Sequence, residues 1–290
     1  MKKIPVRQLK AANESVKDPA FKIRKVENLE LIEKEQKIVQ DIHKHDFYFI
    51  LAIQNGSGAH EIDFVQHPVT RNTIFVMRPG QAHKLNLKKN CTGYLIEFSP
   101  GFYHPRDKKS YTRFRKATNK NYCKPENNRF AKLLGILDNI YIEFSEQQDG
   151  YIDIIKSGLE IFIIEYNRES VNSEILSNKT NPYLQERFED FTELLNNNIT
   201  SLKLVSHYTE LMNITSYQLN EITKSAVGKT ASEMITDQII LEAKRYLLAT
   251  TNQIKDIADM LGYEDVSYFI RFFKKHTGYS PDNYRKSNHL

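Results

Sequence analysis

In the first third of the chain, apolar residues come in short runs separated by turn-forming residues. Phe47 to Ile53, Ile74 to Met77 and Gly93 to Phe98 read as strands, with Gly56-Ser57-Gly58 and Arg78-Pro79-Gly80-Gln81 as turns near them. From about Phe21 to Pro100 this texture predicts an antiparallel sheet or barrel. The next stretch, Tyr103 to Lys124, carries Arg106, Lys108, Lys109, Arg113, Arg115, Lys116 and Lys120 against Asp107 as its one acid, and reads as a solvated loop. After Asn127 the period lengthens. Phe130, Leu133, Leu134 and Leu137, then Ile152, Ile155, Leu159, Ile163 and Tyr166, recur at three- and four-residue spacing, which predicts amphipathic helices over about 127–167. The stripe from Ile152 to Tyr166 reads equally as packing on its own barrel or as the seam of a dimer. Arg168 to Pro182 is polar apart from Val171, Ile175 and Leu176, and is read as a linker.

Everything beyond it has helical texture. Ser206 is placed as the cap of a helix through Tyr208, Leu211 and Met212, and Asn213 stands where a turn needs a left-handed residue. Ile214 anchors that turn. A second helix, about Ser216 to Ala226, buries Leu219 and Ile222 and leaves Tyr217, Gln218, Asn220, Glu221 and Lys224 on outward faces. The pattern returns about fifty residues later. Ile257, Ala258, Leu261, Gly262 and Tyr263 make a first helix and turn, and Phe269, Phe272 and Phe273 hold down a second helix with Ser267, Tyr268, Ile270, Arg271, Lys274 and Lys275 outward. Between the copies, Thr230-Ala231-Ser232-Glu233 is a capping box, followed by Ile235, Ile239, Ala243 and Leu247 on one helical stripe. About twenty residues at ~1.5 Å each make a rod of about 30 Å, close to the ~34 Å between successive major grooves on one face of B-DNA.

A length of 290 residues accommodates two domains. The predicted division is a sensing and dimerisation domain over 1–167, a linker over 168–182 and a DNA-binding domain over 183–290. The net charge of +5 permits nucleic-acid contact without demanding it. The positive charge is local: Ser267 to Leu290 carries Arg271, Lys274, Lys275, Arg285 and Lys286 against Asp282, while Tyr183 to Val266 is richer in acids than in bases. Cys91 and Cys123 are the two cysteines, with no C-x-x-C spacing. No apolar run has the length of a signal peptide or a membrane span, so a cytoplasmic location with no membrane partner is expected. No nucleophile with a nearby base, phosphate loop or acid–base carboxylate pair stands out. The chain is therefore not expected to be an enzyme, and no cofactor is expected.

The segments Glu242-Ala243-Lys244-Arg245-Tyr246-Leu247-Leu248, Ile254-Lys255-Asp256-Ile257-Ala258, Leu261-Gly262-Tyr263, Ser267-Tyr268-Phe269, Phe272 to Gly278 and Ser280-Pro281 resemble the signature of the AraC/XylS family of transcription regulators, over roughly residues 183 to 287. The resemblance implies that the second helix of each unit enters the major groove of promoter DNA. Tyr217, Gln218, Asn220 and Glu221, then Ser267, Tyr268, Ile270 and Arg271, would face bases, and Lys224, Lys274 and Lys275 would meet phosphates. Glu221 stands where the family often has arginine, and Gln253 replaces a better capping residue. His43-Lys44-His45-Asp46-Phe47-Tyr48, Gly56-Ser57-Gly58 and Pro79-Gly80-Gln81-Ala82-His83 resemble the cupin-type barrel found ahead of such DNA-binding domains.

That resemblance implies an α+β chain of two domains, an antiparallel cupin-like barrel with flanking helices followed by an all-α pair of helix-turn-helix units. A small-molecule effector and a homodimer are the implied partners besides DNA. His43, His45 and His83 are assigned to the effector pocket. They also read as three imidazole metal ligands, although metal-binding cupins usually add a glutamate near the position of Phe49, or as hydrogen-bonded barrel residues with no ligand. No metal is assigned. The competing functions are a metal-dependent cupin enzyme with a DNA-binding tail and an orphan regulator without an effector.

Overall fold

The computed structural model describes residues 4, 6–9, 20–28, 42–88, 90–174 and 182–288. The chain divides into two compact units, one of Val6–Ser177 and one of Asn178–Leu290 together with Met1–Pro5.

Among the described residues of the first unit, ten strands build two five-stranded sheets: β1 (Val6–Arg7), β2 (Phe21–Lys25), β3 (His43–His45), β4 (Tyr48–Asn55), β5 (Gly58–Ile62), β6 (Val65–Val69), β7 (Thr73–Met77), β8 (Ala82–Leu87), β9 (Thr92–Phe98) and β10 (Tyr122–Cys123). The first sheet runs β1-β3-β8-β5-β6 and the second β10-β7-β4-β9-β2. The expected antiparallel barrel is thus a pair of sheets, and among the described residues no strand ladder closes it into a ring. One pair, β1 with β3, is parallel.

The second sheet is buried on both faces. Phe49, Leu51 and Ile53 of β4 join Ile62, Val69, Phe75, Met77 and Leu95 in the core between the sheets. Ile50 and Ala52 point the other way, into a second core with Ile74, Val76, Ile96 and the flanking helices. This explains why β4 is an unbroken apolar run rather than an alternating one.

Those helices are α1 (Lys108–Asn119), α2 (Asn127–Glu146) and α3 (Tyr151–Glu174). Helix α1 occupies the basic stretch that reads as a loop. Asp107 caps it by accepting from the Ser110 N–H at 2.7 Å, and Ser110, Phe114, Ala117 and Thr118 are buried. Its lysines and arginines lie on the remaining faces and mask a narrow apolar stripe. Ile155, Leu159, Phe162, Ile163 and Tyr166 of α3 pack into the core against the second sheet, so the stripe once open to a dimer reading covers its own sheet. Tyr166 also donates to the Lys120 carbonyl at 2.8 Å, and Asn167 to that of Arg113 at 2.7 Å. Helix α3 continues to Glu174, into the segment read as linker, where no proline or glycine stops it. Residues 175–181 of that segment lie outside the described residues.

The second unit is helical: α4 (Pro182–Asn198), α5 (Val205–Met212), α6 (Ser216–Val227), α7 (Ala231–Ala249), α8 (Ile254–Met260), α9 (Val266–Thr277) and α10 (Pro281–Asn288). One core holds Phe191, Tyr208, Leu219, Ile235, Ala243, Leu247, Ile257, Phe269 and Phe273. Ser206 lies inside α5; the cap position is Leu204, which makes no side-chain cap bond. A helix there needs no such cap because Tyr208, fully buried, donates its hydroxyl to the Leu202 carbonyl at 2.7 Å and fixes the entry turn. Asn213 takes the left-handed conformation, φ 52°.

Candidate nucleic-acid interface and barrel histidines

Each helix-turn-helix copy is set by local chemistry. Thr215 caps α6 by accepting from the Gln218 N–H at 3.2 Å, while the Gln218 side chain accepts from the Thr215 N–H at 2.9 Å. In the second copy Asp265 caps α9, accepting from the Ser267 N–H at 2.8 Å. The rod α7 starts at the expected capping box, with Glu233 accepting from the Thr230 N–H at 2.7 Å. It comprises 19 residues, about 28 Å long at ~1.5 Å per residue.

The two second helices differ in what they expose. On α6, Tyr217 is 79% exposed, and Gln218, Glu221 and Lys224 are exposed. Asn220 is only half-exposed, and its side-chain oxygen accepts from the Ala231 N–H at 3.0 Å. That bond satisfies one of the donors a helix N-terminus leaves unpaired. Asn220 therefore ties α6 to the rod instead of pointing freely outward as the helical spacing suggests. On α9, Ser267, Tyr268, Arg271, Lys274 and Lys275 are exposed and Ile270 is partly covered. Arg271 and Asp265 approach to 3.8 Å with side chains 69% and 63% exposed, a contact of at most ~1 kcal/mol that a phosphate or base readily displaces. Arg285 does not belong to the outward positive face: its guanidinium donates to the carbonyls of Leu247 at 3.0 Å and Asn252 at 2.7 Å, locking the end of the rod.

In the first unit, β3 and β8 pair with His43 opposite His83. His43 and His45, two apart on one strand, face the same side. His43, His45 and His83 are buried, and their Nε2 atoms converge: 3.1 Å between His43 and His45, 2.5 Å between His45 and His83, and 3.1 Å between His83 and His43. A fourth histidine joins from β5. His60 is fully buried, and its Nε2 lies 2.9 Å from Nδ1 of His83. His60 escapes a search by motif, but once Gly58 to Ile62 is a strand, period two puts His60 on the side of buried Ile62.

Phe47 and Phe49 wall the cluster, with the Phe47 ring centroid 4.3 Å from that of His45 and the Phe49 centroid 5.5 Å from that of His83. Burial, reinforced by neighbouring histidines, lowers His45 to about 2 and His60 to about 3, and holds His83 well below its ordinary value. These rings are neutral at pH 7, the form that offers a lone pair to a metal. The three converging nitrogens lie within 4.8 Å of one another and form a donor set able to hold one metal ion.

Comparison with known proteins matches residues 208–287 to a helix-turn-helix domain and residues 30–134 to an AraC-like ligand binding domain. The chain is 30% identical over 99 residues to the bifunctional transcriptional activator/DNA repair enzyme AdaA of Bacillus subtilis, covering 34% of this chain and 47% of that protein. The raffinose operon regulatory protein RafR of Pediococcus pentosaceus is matched over 34% of its length, so these two relatives are spanned by half or less. The transcriptional activator RhaR of Mannheimia succiniciproducens is 21% identical over 249 residues, 84% of this chain and 86% of that one. Among solved structures, ToxT from Vibrio cholerae aligns over 94% of this chain and 100% of its own at 16% identity and a TM-score of 0.41. Among the described residues no helix is long and apolar enough to cross a membrane. With the ligand-binding domain ahead of the helix-turn-helix domain, the chain belongs to the AraC/XylS family of DNA-binding transcription regulators.

Proposed function

We propose that this chain is a cytoplasmic, non-enzymatic regulator that binds promoter DNA as a homodimer and answers to a small ligand held between its two sheets. The carrying observation is the pair of second helices, α6 and α9, in units linked by a rod of nearly one DNA turn, each with an outward polar face. In this reading Tyr217, Gln218 and Glu221 of α6 and Ser267, Tyr268, Ile270 and Arg271 of α9 face bases, with Asn220 bracing α6 from behind. Lys224, Lys274 and Lys275 meet phosphates. Glu221 repels phosphate and accepts only from donors such as the cytosine amine, so α6 discriminates while α9 grips.

The test is a quantitative gel shift on the DNA upstream of the protein's own gene. Arg271→Ala is expected to weaken specific binding by about 1–3 kcal/mol, and Lys274→Ala to weaken specific and non-specific DNA alike and to flatten the salt dependence. An Arg271→Ala protein that binds its site as tightly as wild type refutes the base-reading role.

Dimerisation is proposed through what α3 leaves outside after packing on its own sheet. Ile154 and Ile161 are 48% and 51% exposed, one heptad apart, and Ile142 on α2 is 43% exposed. The double variant Ile154→Glu/Ile161→Glu is expected to sediment as a monomer at concentrations where wild type is a dimer. If it remains dimeric, the seam lies elsewhere.

A further inference from the structure

The three-histidine contact in the first unit has a property that no choice of protonation removes. Each Nε2 either bears a hydrogen or presents a lone pair. A favourable contact needs one of each, and three mutually contacting atoms cannot all alternate between two states. At least one of the contacts among His43, His45 and His83, at 2.5–3.1 Å, must set two lone pairs or two N–H groups against each other. Protonating a ring does not help, because the third nitrogen still repeats the state of one neighbour. A single cation inside the triangle resolves all three contacts at once, with every Nε2 turning its lone pair inward.

We propose that His43, His45 and His83 bind one divalent transition-metal ion through Nε2, that His60 is a positioning residue for His83, and that this ion is a ligand of the N-terminal unit. Four tetrahedral bonds of ~2.0–2.1 Å put ligand nitrogens about 3.3 Å apart, so the observed triangle opens by roughly 0.2–0.8 Å to accept zinc. The donor set is three imidazoles, with the Phe49 ring against His45, His60 and His83, and among the described residues no carboxylate or thiolate joins the cluster. Such a site suits zinc, copper, nickel or ferrous iron and not magnesium or calcium, which demand oxygen ligands. It leaves a fourth position for water or a small anion.

His60 fixes the tautomer. With the Nε2 lone pair of His83 on the ion, its Nδ1 carries the hydrogen and donates to Nε2 of His60 across 2.9 Å, the outer contact that metal-bound histidines characteristically make. Nδ1 of His60, which has no partner among the described residues, then bears the other hydrogen.

The role of the ion as a ligand of the regulator rests on the functional reading above, but its binding is measured without DNA. Tag-free, chelator-stripped full-length protein is titrated with cobalt(II), followed by visible absorption, and then with zinc as competitor by calorimetry. The expected result is one cobalt per chain with the intense d–d bands of a four- or five-coordinate nitrogen site, displaced by one zinc. His43→Ala/His83→Ala is expected to abolish both signals. His60→Leu, which cannot accept from His83, is expected to weaken binding about 10–100-fold, while His60→Gln, whose side-chain oxygen can accept, restores it. Substoichiometric cobalt in wild type, a weak six-coordinate spectrum, or equal affinity for His60→Leu and His60→Gln overturns the assignment. The wild-type spectrum decides even if a histidine variant fails to fold. Loss of specific DNA binding would leave the cobalt stoichiometry untouched, so the two readings fail separately.

Discussion

Replacing Gly262 by alanine is expected to destabilise the C-terminal unit by about 2–5 kcal/mol, combining ~1–2 for a side chain forced into the left-handed region with ~1–3 for overpacking. Gly262 has φ 69°, and a Cβ there would lie 2.3 Å from the Thr200 carbonyl oxygen. That carbonyl cannot retreat freely. Lys203, on the loop between α4 and α5, donates to it at 3.0 Å and to the Gly262 carbonyl at 2.9 Å, with its ammonium 5.2 Å from the Tyr263 ring centroid. The loop ahead of the first helix-turn-helix unit is thereby fastened to the turn of the second. Gly228 and Gly278 offer an internal control: both also have positive φ, 71° and 81°, but a Cβ at either meets open space. Alanine at those positions is expected to cost about 1 kcal/mol, the left-handed penalty partly offset by lost freedom in the unfolded chain. Urea denaturation midpoints check the contrast, and equal losses at all three positions would contradict it.

Phe269→Ala is expected to lower the stability of the same unit by about 3–5 kcal/mol, the range for emptying a fully buried aromatic site. Phe269 is fully buried between the turn and the rod, with ring centroids 5.4 Å from Tyr263 and 6.1 Å from Phe273. Its core shares no residue with the two cores of Val6–Ser177. Calorimetry is therefore expected to show the C-terminal transition shifted or lost and the N-terminal transition, with its cobalt stoichiometry, unchanged. A uniform shift of both would mean that the cores do not melt separately.

These two positions also show how far the sequence is legible. Apolar spacing plus local cap chemistry suffices wherever both contact partners lie within a few residues. Leu219 and Ile222, Asn213, and Thr230 with Glu233 therefore all occupy the places their spacing implies. The strand runs at Phe47, Ile74 and Gly93 likewise become β4, β7 and β9. What is lost depends on distant partners or on charge that hides an apolar stripe. Helix α1 buries Phe114 and Ala117 beneath lysines and arginines. Asn220 has the exposure pattern of a reading residue, yet it meets a backbone N–H across the junction with the rod. Arg285 counts as surface charge in the sequence and is an internal brace in the fold.

The histidines follow the same rule. His43 and His45 share a face by period two, and His83 follows a proline–glycine turn, so three members are visible along the chain. Their convergence depends on β3 lying beside β8, and the entry of His60 on β5 lying at the other side of β8. No spacing encodes that strand order.

Reading of DNA by one chain through two linked helices is open to hydroxyl-radical footprinting of the full-length protein on the DNA upstream of its gene. Protection is expected in two patches on one face of the duplex, about one helical turn apart for each chain. Tyr217→Ala is expected to weaken the patch under α6 and Arg271→Ala the patch under α9. Protection of a single patch per chain, or no protected site above the non-specific level, would contradict it.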